Sequence, residues 1–104
     1  MKFLCLAYGD EGKWNTLPES IRDALLAQDD LLRSRGDLVA EVLAPTTVRF
    51  AGGHAQASDG SFGQAPLPLA GFYVIEAGDV DEAIGLLSKT PCAHAGAYEL
   101  RVLA

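Results

Sequence analysis

The segment from residue 71 to residue 84 constrains the fold of this chain most strongly. Residues 71–77 are mostly apolar, which is typical of a buried strand. Asp79 and Glu82 follow with the spacing of a helix N-cap and its N3 partner, so the strand leads directly into a helix. A strand followed by a helix and another strand also occurs near the N-terminus. The sequence therefore predicts two βαβ-like halves.

The N-terminal half begins with an apolar stretch at residues 2–8, predicted to be a central strand, followed by a polar connection at residues 9–15. Thr16 and Glu19 have the spacing of a capping box, and Gly36 suits a left-handed helix end. A helix is therefore predicted from about residue 17 to residue 35. Its predicted apolar stripe is Ile21, Ala24, Leu25, Leu31 and Leu32. The side chains predicted to point outward are Arg22, Asp23, Asp29, Asp30 and Arg33.

The central region is predicted to form a short strand at residues 38–43 and then a β-hairpin. Gly52-Gly53 supplies the positive φ angles that a tight hairpin turn requires. Residues 63–69 lack periodicity and are predicted to be a loop. In the second helix, the predicted buried face is Val80, Ala83, Ile84 and Leu87. After a loop around Cys92 and His94, residues 97–103 alternate between apolar and polar, as a half-exposed last strand does.

This order of elements predicts a single α+β domain over residues 1–104. It corresponds to a ferredoxin-like split βαβ arrangement with an inserted β-hairpin, in which both helices cover one face of an antiparallel sheet. The other face would then expose an apolar surface in a monomer. We therefore expect a homodimer in which two sheets face each other, which is a dimeric α+β barrel.

Charge and composition argue against several classes of partner. The net charge is −6, whereas nucleic-acid binding depends on a basic surface, so nucleic acid is not expected as a partner. No stretch approaches the ~18 apolar residues of a membrane span. A cytoplasmic protein is expected, with Cys5 as a small buried thiol in the first strand rather than in a disulfide with Cys92.

Several short segments occur in a characteristic order and spacing along nearly the whole chain. They are Tyr8 to Glu11, Thr46 to Arg49, Asp59 to Phe62, Gly71 to Glu76, Asp79 to Ile84 and Gly96 to Arg101. In the order and spacing of these motifs the chain resembles the YCII-related family, and specifically its branch with the DGPF domain. Asp59-Gly60-Ser61-Phe62 stands where that branch has Asp-Gly-Pro-Phe.

The resemblance implies a dimeric α+β barrel with a pocket in each subunit, and no settled activity. Some members of this branch are associated with extracytoplasmic-function sigma factors. In the wider family a His–Asp pair has been proposed as catalytic, and one relative acts in dechlorination of an aromatic breakdown product. This chain departs from that pattern in two places. It has Leu25 near the position of the helix histidine, and residues 63–68 replace a segment usually rich in Glu and Lys.

Two residues are candidates for acid–base chemistry. Asp59 begins a Gly-containing turn, where its side chain either bonds its own backbone or lines a pocket beside Phe62. His94 titrates near neutral pH and lies before the last strand, as a solvated loop residue or as a ligand-contacting one. His54, at the hairpin tip, is expected to be solvated. Cys92 and His94 lack further ligands at sensible spacing, so neither a metal site nor a cofactor is predicted.

Asp10 and Glu11 lie beyond the end of the first strand, where they are either solvated loop charges or line the entrance to a small-molecule pocket. Residues that could line it are Tyr8, Asp10, Glu11, Gly60, Phe62 and Tyr73. One hypothesis is a protein that binds a small molecule there, with lyase or isomerase chemistry if Asp59 is a base and a tyrosine or His94 is its partner. The alternative is a non-catalytic regulatory module that contacts a partner protein. The sequence does not decide whether the chain is an enzyme.

Overall fold

The computed structural model describes all 104 residues and has ten elements of secondary structure. In chain order they are β1 (Lys2–Gly9), α1 (Glu11–Thr16), α2 (Glu19–Ser34), β2 (Leu38–Glu41), β3 (Thr46–Ala51), β4 (His54–Asp59), β5 (Leu69–Glu76), α3 (Val80–Leu87), α4 (Cys92–Ala95) and β6 (Gly96–Val102). None of the four helices combines the length and the apolar content that crossing a membrane requires.

Four strands form one sheet in the order β2-β5-β1-β6, and every neighbouring pair is antiparallel. The two halves of the chain therefore interleave, because β5 from the second half lies between β1 and β2 from the first. This order agrees with a ferredoxin-like arrangement and confirms the α+β class. β3 and β4 pair only with each other and form a separate hairpin.

One face of the sheet carries the core. Every second side chain of β1 lies on this face, namely Phe3, Cys5 and Ala7. Their cross-strand partners on β5 include Tyr73 and Ile75. α2 covers this face with Leu32, and α3 covers it with Ala83 and Leu87. Both long helices therefore lie on the same side of the sheet, as the sequence predicted.

The opposite face of the sheet has no helix over it, and we call it the open sheet face. The strand register assigns it an apolar centre and a charged margin. Its apolar side chains are Leu4, Leu6, Tyr8, Leu38, Ala40, Phe72 and Val74. Its charged side chains are Lys2, Glu76, Glu99 and Arg101. The predicted alternation of the last strand is confirmed, because Tyr98 and Leu100 pack against the core cluster.

The polar connection predicted after β1 contains a short helix, α1, which the sequence did not predict. Asp10 caps α1 by accepting a hydrogen bond from the Lys13 amide at 3.1 Å. The predicted capping box at Thr16 does not form, because the Thr16 hydroxyl donates back to the Lys13 carbonyl at 2.7 Å. α2 begins three residues later, at Glu19, after Pro18.

The buried side of α2 also differs from the prediction. Leu25 and Leu32 are buried as expected, but Ile21 and Leu31 are exposed. Asp29 was predicted to point outward, and it is instead buried between the two leucines with 8% of its surface exposed. Apolar residues occur on two adjacent sides of this helix, so periodicity alone could not select the side that packs.

The ends of the helices largely follow their sequence signals. Gly36 has a φ of 95° and ends α2 with its amide bonded to the Arg33 carbonyl, as predicted. The Asp79 carboxylate accepts from the Glu82 amide at 2.8 Å and caps α3. Val80 and Ile84, predicted to be buried, are about half exposed. The predicted loop around Cys92 contains the short helix α4.

The hairpin projects from the rest of the chain. Gly52 and Gly53 both have positive φ angles, which confirms the predicted turn. Apart from Thr47, every residue of its two strands is exposed. The radius of gyration is 15.5 Å, whereas a compact domain of this size has roughly 13 Å. An isolated two-stranded hairpin is only marginally stable in water.

The close approach of β2 and β5 depends on Gly71. A Cβ atom at this position would overlap the backbone carbonyl of Ala40 on the neighbouring strand. We expect Gly71→Ala to lower the free energy of unfolding by ~1–3 kcal/mol, measured by urea denaturation. Gly85→Ala is the control, since it meets open space within α3 and should raise stability by up to ~1 kcal/mol. Equal effects of the two substitutions would contradict this account.

Candidate functional site

A cavity of the structure lies where the hairpin joins the sheet. It has a volume of about 480 Å³ and is open to solvent on one side. We call it the hairpin cavity. Its walls come from the segment after β2, from the start of β3 and from the segment that leads into β5. The lining residues are Val42, Leu43, Pro45, Thr46, Thr47, Val48, Ser61, Phe62, Pro68 and Leu69.

Turns at the base of the hairpin hold these walls in place. The Thr47 hydroxyl donates to the Gly60 carbonyl at 2.6 Å, and the Gly60 amide donates to the Pro45 carbonyl at 3.1 Å. Gly60 has a φ of 106°, a backbone conformation that glycine adopts far more readily than other residues. The Arg49 guanidinium lies 5.1 Å from the centre of the Phe62 ring, within the range of a cation–π contact. The hairpin base is therefore fixed although its tip projects.

Three of the predicted site residues lie in or next to the segments that form this cavity. Phe62 lines it, and Gly60 shapes its wall through the bond to Thr47. Asp59 is exposed at the end of β4 and pairs across the hairpin with Thr46, which also lines the cavity. Paired residues on antiparallel strands point to the same side, so the Asp59 carboxylate lies on the same side of the hairpin as Thr46.

The other predicted residues at the end of β1 lie at the same end of the sheet. The Gly9 amide donates to the Pro68 carbonyl at 3.0 Å, and Pro68 lines the cavity. The Asp10 amide donates to the Ala95 carbonyl at 2.7 Å, which brings α4 and the exposed His94 to this end. Tyr8, Asp10 and Glu11 do not line the cavity. The Asp10 carboxylate already caps α1.

A second polar group lies under α2, and sequence reasoning missed it. The Tyr73 hydroxyl donates to the Asp29 carboxylate at 2.7 Å, and both residues are buried. The Tyr73 and Tyr98 rings meet edge to face with centroids 5.8 Å apart. The Tyr98 hydroxyl is in turn hydrogen-bonded to Thr90. Tyr73, predicted to face the ligand pocket, therefore lies on the core face of the sheet, away from the hairpin cavity.

Burial sets the electrostatics of this group, which we call the Asp29 cluster. Removal from water raises the pKa of Asp29. The hydrogen bond from Tyr73 and the positive charge of Arg33 only partly oppose that rise. Burial, followed by the bond to Asp29, raises the pKa of Tyr73 far above its usual range. Burial raises the pKa of Tyr98 to about 12. Both phenols therefore stay protonated at neutral pH, and the Tyr73 hydroxyl donates to Asp29.

The two cysteines are free and buried, as predicted for Cys5. Burial raises the pKa of Cys5 to about 11, and it also raises the pKa of Cys92. Neither thiol is activated as a nucleophile by its surroundings. No group of three or more His, Cys, Asp and Glu side chains is close enough together to hold a metal ion.

Comparison with known proteins gives one clear result. The model of the YCII-related domain matches residues 1–104, which is the whole chain. No curated protein matches the sequence. The match confirms the family resemblance suggested by the motifs.

The hydrogen bond from Tyr73 satisfies a buried carboxylate, and its loss should weaken the fold. We expect Tyr73→Phe to lower the free energy of unfolding by ~1–3 kcal/mol. Tyr8→Phe is the control, because Tyr8 lies on the open sheet face and should change stability little. Urea denaturation at neutral pH measures both variants. A Tyr73→Phe protein as stable as the Tyr8→Phe protein would show that the bond contributes nothing.

Asp29 should make stability depend on pH. Its folded-state pKa lies above the ~3.9 of an unfolded chain, so the folded protein binds this proton more tightly. The resulting stabilisation is complete below about pH 3.9 and is lost as the pH rises through the folded-state pKa. The free energy of unfolding of the wild type, relative to Asp29→Asn, should therefore fall as the pH rises from about 4 to 7.

Asp30→Asn provides the matched control for this titration, because Asp30 is the neighbouring carboxylate on α2 and is exposed. The difference in free energy of unfolding between the wild type and Asp30→Asn should vary less with pH. A difference between wild type and Asp29→Asn that stays constant over this range would exclude the titration of Asp29.

Proposed function

Because the chain belongs to the YCII-related domain family, we propose that it forms a homodimer and binds a small molecule in the hairpin cavity. The observation that carries this proposal is the cavity itself, about 480 Å³ in volume, at the end of the sheet. Small-molecule sites commonly have volumes of ~300–1,000 Å³ and walls that are mostly apolar. We also propose that the chain belongs to the DGPF branch, because Asp59-Gly60-Ser61-Phe62 stands where that branch has Asp-Gly-Pro-Phe.

The open sheet face supports the dimer. Leu4, Leu6, Phe72 and Val74 form a continuous apolar centre in adjacent strands, and no helix of this chain covers it. A contiguous apolar patch of this kind marks an interaction site. The charged margin carries both signs, so two identical faces can pair acids with bases when they meet around a twofold axis. A dimeric α+β barrel results when two such sheets face each other.

The lining of the cavity indicates the chemistry of the ligand. None of its ten lining residues is charged, and five are hydrophobic. A buried charge without a partner is costly, so an anionic or cationic ligand would gain little here. Thr46 and Ser61 offer hydroxyl groups, and Phe62 offers a ring face. A neutral, largely apolar molecule with one or two hydrogen-bonding groups fits this surface best.

Asp59 makes acid–base chemistry a reasonable extension of ligand binding. Its carboxylate lies on the same side of the hairpin as Thr46 and can reach a molecule bound at the cavity edge. We propose it as a general base in lyase or isomerase chemistry, with His94 or Tyr8 as the second group at this end of the sheet. Tyr73 is not that partner, because its hydroxyl is committed to Asp29.

A non-catalytic regulatory role is the second candidate. It is favoured by the exposed apolar side chains of the hairpin and by Leu25, which is buried in the core near the place of the family's helix histidine. In this case a partner protein contacts the hairpin or the acidic surface. Free buried thiols at Cys5 and Cys92 suit a reducing compartment such as the cytoplasm. Purification from native lysate that returns only the homodimer would argue against this role.

Phe62→Ala tests the ligand site. Ligand-observed NMR with a panel of neutral monocyclic and bicyclic aromatic fragments should detect binders to the wild type. Loss of the Phe62 ring should weaken their binding by roughly tenfold, because one ring contact contributes ~1 kcal/mol or more. Ile84→Ala, an exposed position on α3, should leave binding unchanged. The proposal fails if no fragment binds, or if both variants bind equally well.

Asp59→Asn separates catalysis from binding. The amide keeps the size of the side chain but cannot accept a proton as a base. For any substrate found by the fragment panel, we expect turnover to fall by ~100-fold or more with little change in affinity. Unchanged turnover would remove Asp59 from the mechanism and leave the binding site standing.

A further inference from the structure

The projecting hairpin has two chemically different faces. Register and alternation place Thr47, Arg49, Gln56 and Ser58 on one face, which is polar. The other face carries Val48, Phe50, Ala55 and Ala57, with Thr46 and Asp59 at its base. We call the four apolar residues the hairpin apolar face. Nothing in a single copy covers it, and Phe50 is 79% exposed. An exposed apolar ribbon on a marginally stable hairpin requires a surface to cover it.

The hairpin apolar face continues into the hairpin cavity. Val48 belongs to both, and Leu43, which is 90% exposed, lies beside it on the cavity wall. The cavity is open to solvent on one side. A molecule lying along the hairpin apolar face would therefore supply the wall that the single chain lacks.

The size of the open sheet face indicates what that molecule is. Its four strands have four to eight residues each. At ~3.4 Å per residue and ~4.8 Å between strands, their flat area is about 440 Å². A stable interface buries ~800 Å² of accessible surface per partner, so the sheet face alone is small for a stable dimer. The hairpin adds roughly 200 Å² by the same dimensions, in continuity with the sheet end.

We propose that the hairpin of each copy lies against the second copy, so that its apolar face completes the dimer interface and closes the hairpin cavity. This inference rests on the proposed dimer and deepens it. The ligand site is then incomplete in a monomer. Ligand binding and dimerisation are thermodynamically linked, since a ligand that binds only the closed cavity stabilises the dimer.

Two variants of the hairpin test this arrangement. The double variant Val48→Lys/Phe50→Lys places two charges on the hairpin apolar face. The single variant Gln56→Lys places one charge on the polar face of the same hairpin. All three positions are exposed in a single copy, so both proteins should keep the wild-type circular dichroism spectrum. Analytical ultracentrifugation should show the dimer Kd raised by ~100-fold or more, equivalent to ~2.8 kcal/mol, in the first variant only.

Hydrogen–deuterium exchange of the wild type gives a second measurement that needs no substitution. Amides in residues 46–59 should exchange more slowly above the dimer Kd than below it. Leu6→Lys, on the open sheet face, should disrupt the dimer and restore fast exchange in the hairpin.

The outcomes distinguish the two proposals. A wild-type protein that is monomeric at ~100 μM, well above the Kd of a specific interface, would overturn the dimer and this inference together. A dimer whose Kd is unchanged by Val48→Lys/Phe50→Lys, or whose hairpin exchange does not depend on concentration, would overturn the inference alone. Loss of fragment binding in the dimer-disrupting Leu6→Lys protein supports closure of the cavity by the second copy, and full binding by that monomer contradicts it.

Discussion

A sheet has two faces, and this chain provides helices for only one of them. α2 and α3 bury Phe3, Cys5 and Ile75 on the core face, while the open sheet face keeps Leu6 and Phe72 without cover from the same chain. Hydrophobic burial is proportional to the apolar area removed from water, so half of the sheet's potential contribution is missing in a single copy. This imbalance favours a second copy that covers the open sheet face. It also leaves space for a ligand at the end of the sheet rather than inside the packed core.

The Asp29 cluster shows how the covered face tolerates polar groups. A carboxylate in the packing side of α2 would destabilise the fold if it had no donor, and Tyr73 supplies one from the middle of β5. Tyr98 and Thr90 extend the set of bonds toward β6 and α4. A hydrogen bond is directional and constrains the distance and angle between its two groups, whereas apolar contacts tolerate small shifts. The cluster therefore fixes the register of α2 on the sheet as well as satisfying its own atoms.

Local signals in the sequence were sufficient for much of this fold. Gly52-Gly53 predicted the hairpin, Asp79 predicted the start of α3, and Gly36 predicted the end of α2, because each of these is decided by a few adjacent residues. α1 was missed although its cap, Asp10, was visible in the sequence. The competing signal at Thr16 and Glu19 appeared stronger, yet Pro18 begins the helix without a side-chain cap.

The candidate site was harder to predict, because it depends on contacts between distant parts of the chain. Asp29 and Tyr73 are 44 positions apart in the sequence, and nothing near either residue indicates that the two side chains meet. Phe62 was singled out from a short motif, and it lines the hairpin cavity. Asp59, at the start of the same motif, pairs with the lining residue Thr46. The opposite orientation of Tyr73 follows from strand alternation, since Phe72 occupies the open sheet face and Tyr73 must then point into the core.

The independence of the hairpin from the core has an evolutionary consequence. Its strands bond only to each other and touch the rest of the chain mainly at their base. Substitutions, insertions and deletions near Gly52-Gly53 therefore leave the packing of the sheet and helices intact. Variation near this turn can change the hairpin without unfolding the core, within the limits set by contact with a second copy. Members of such a lineage would diversify in what they recognise while inheriting the same scaffold.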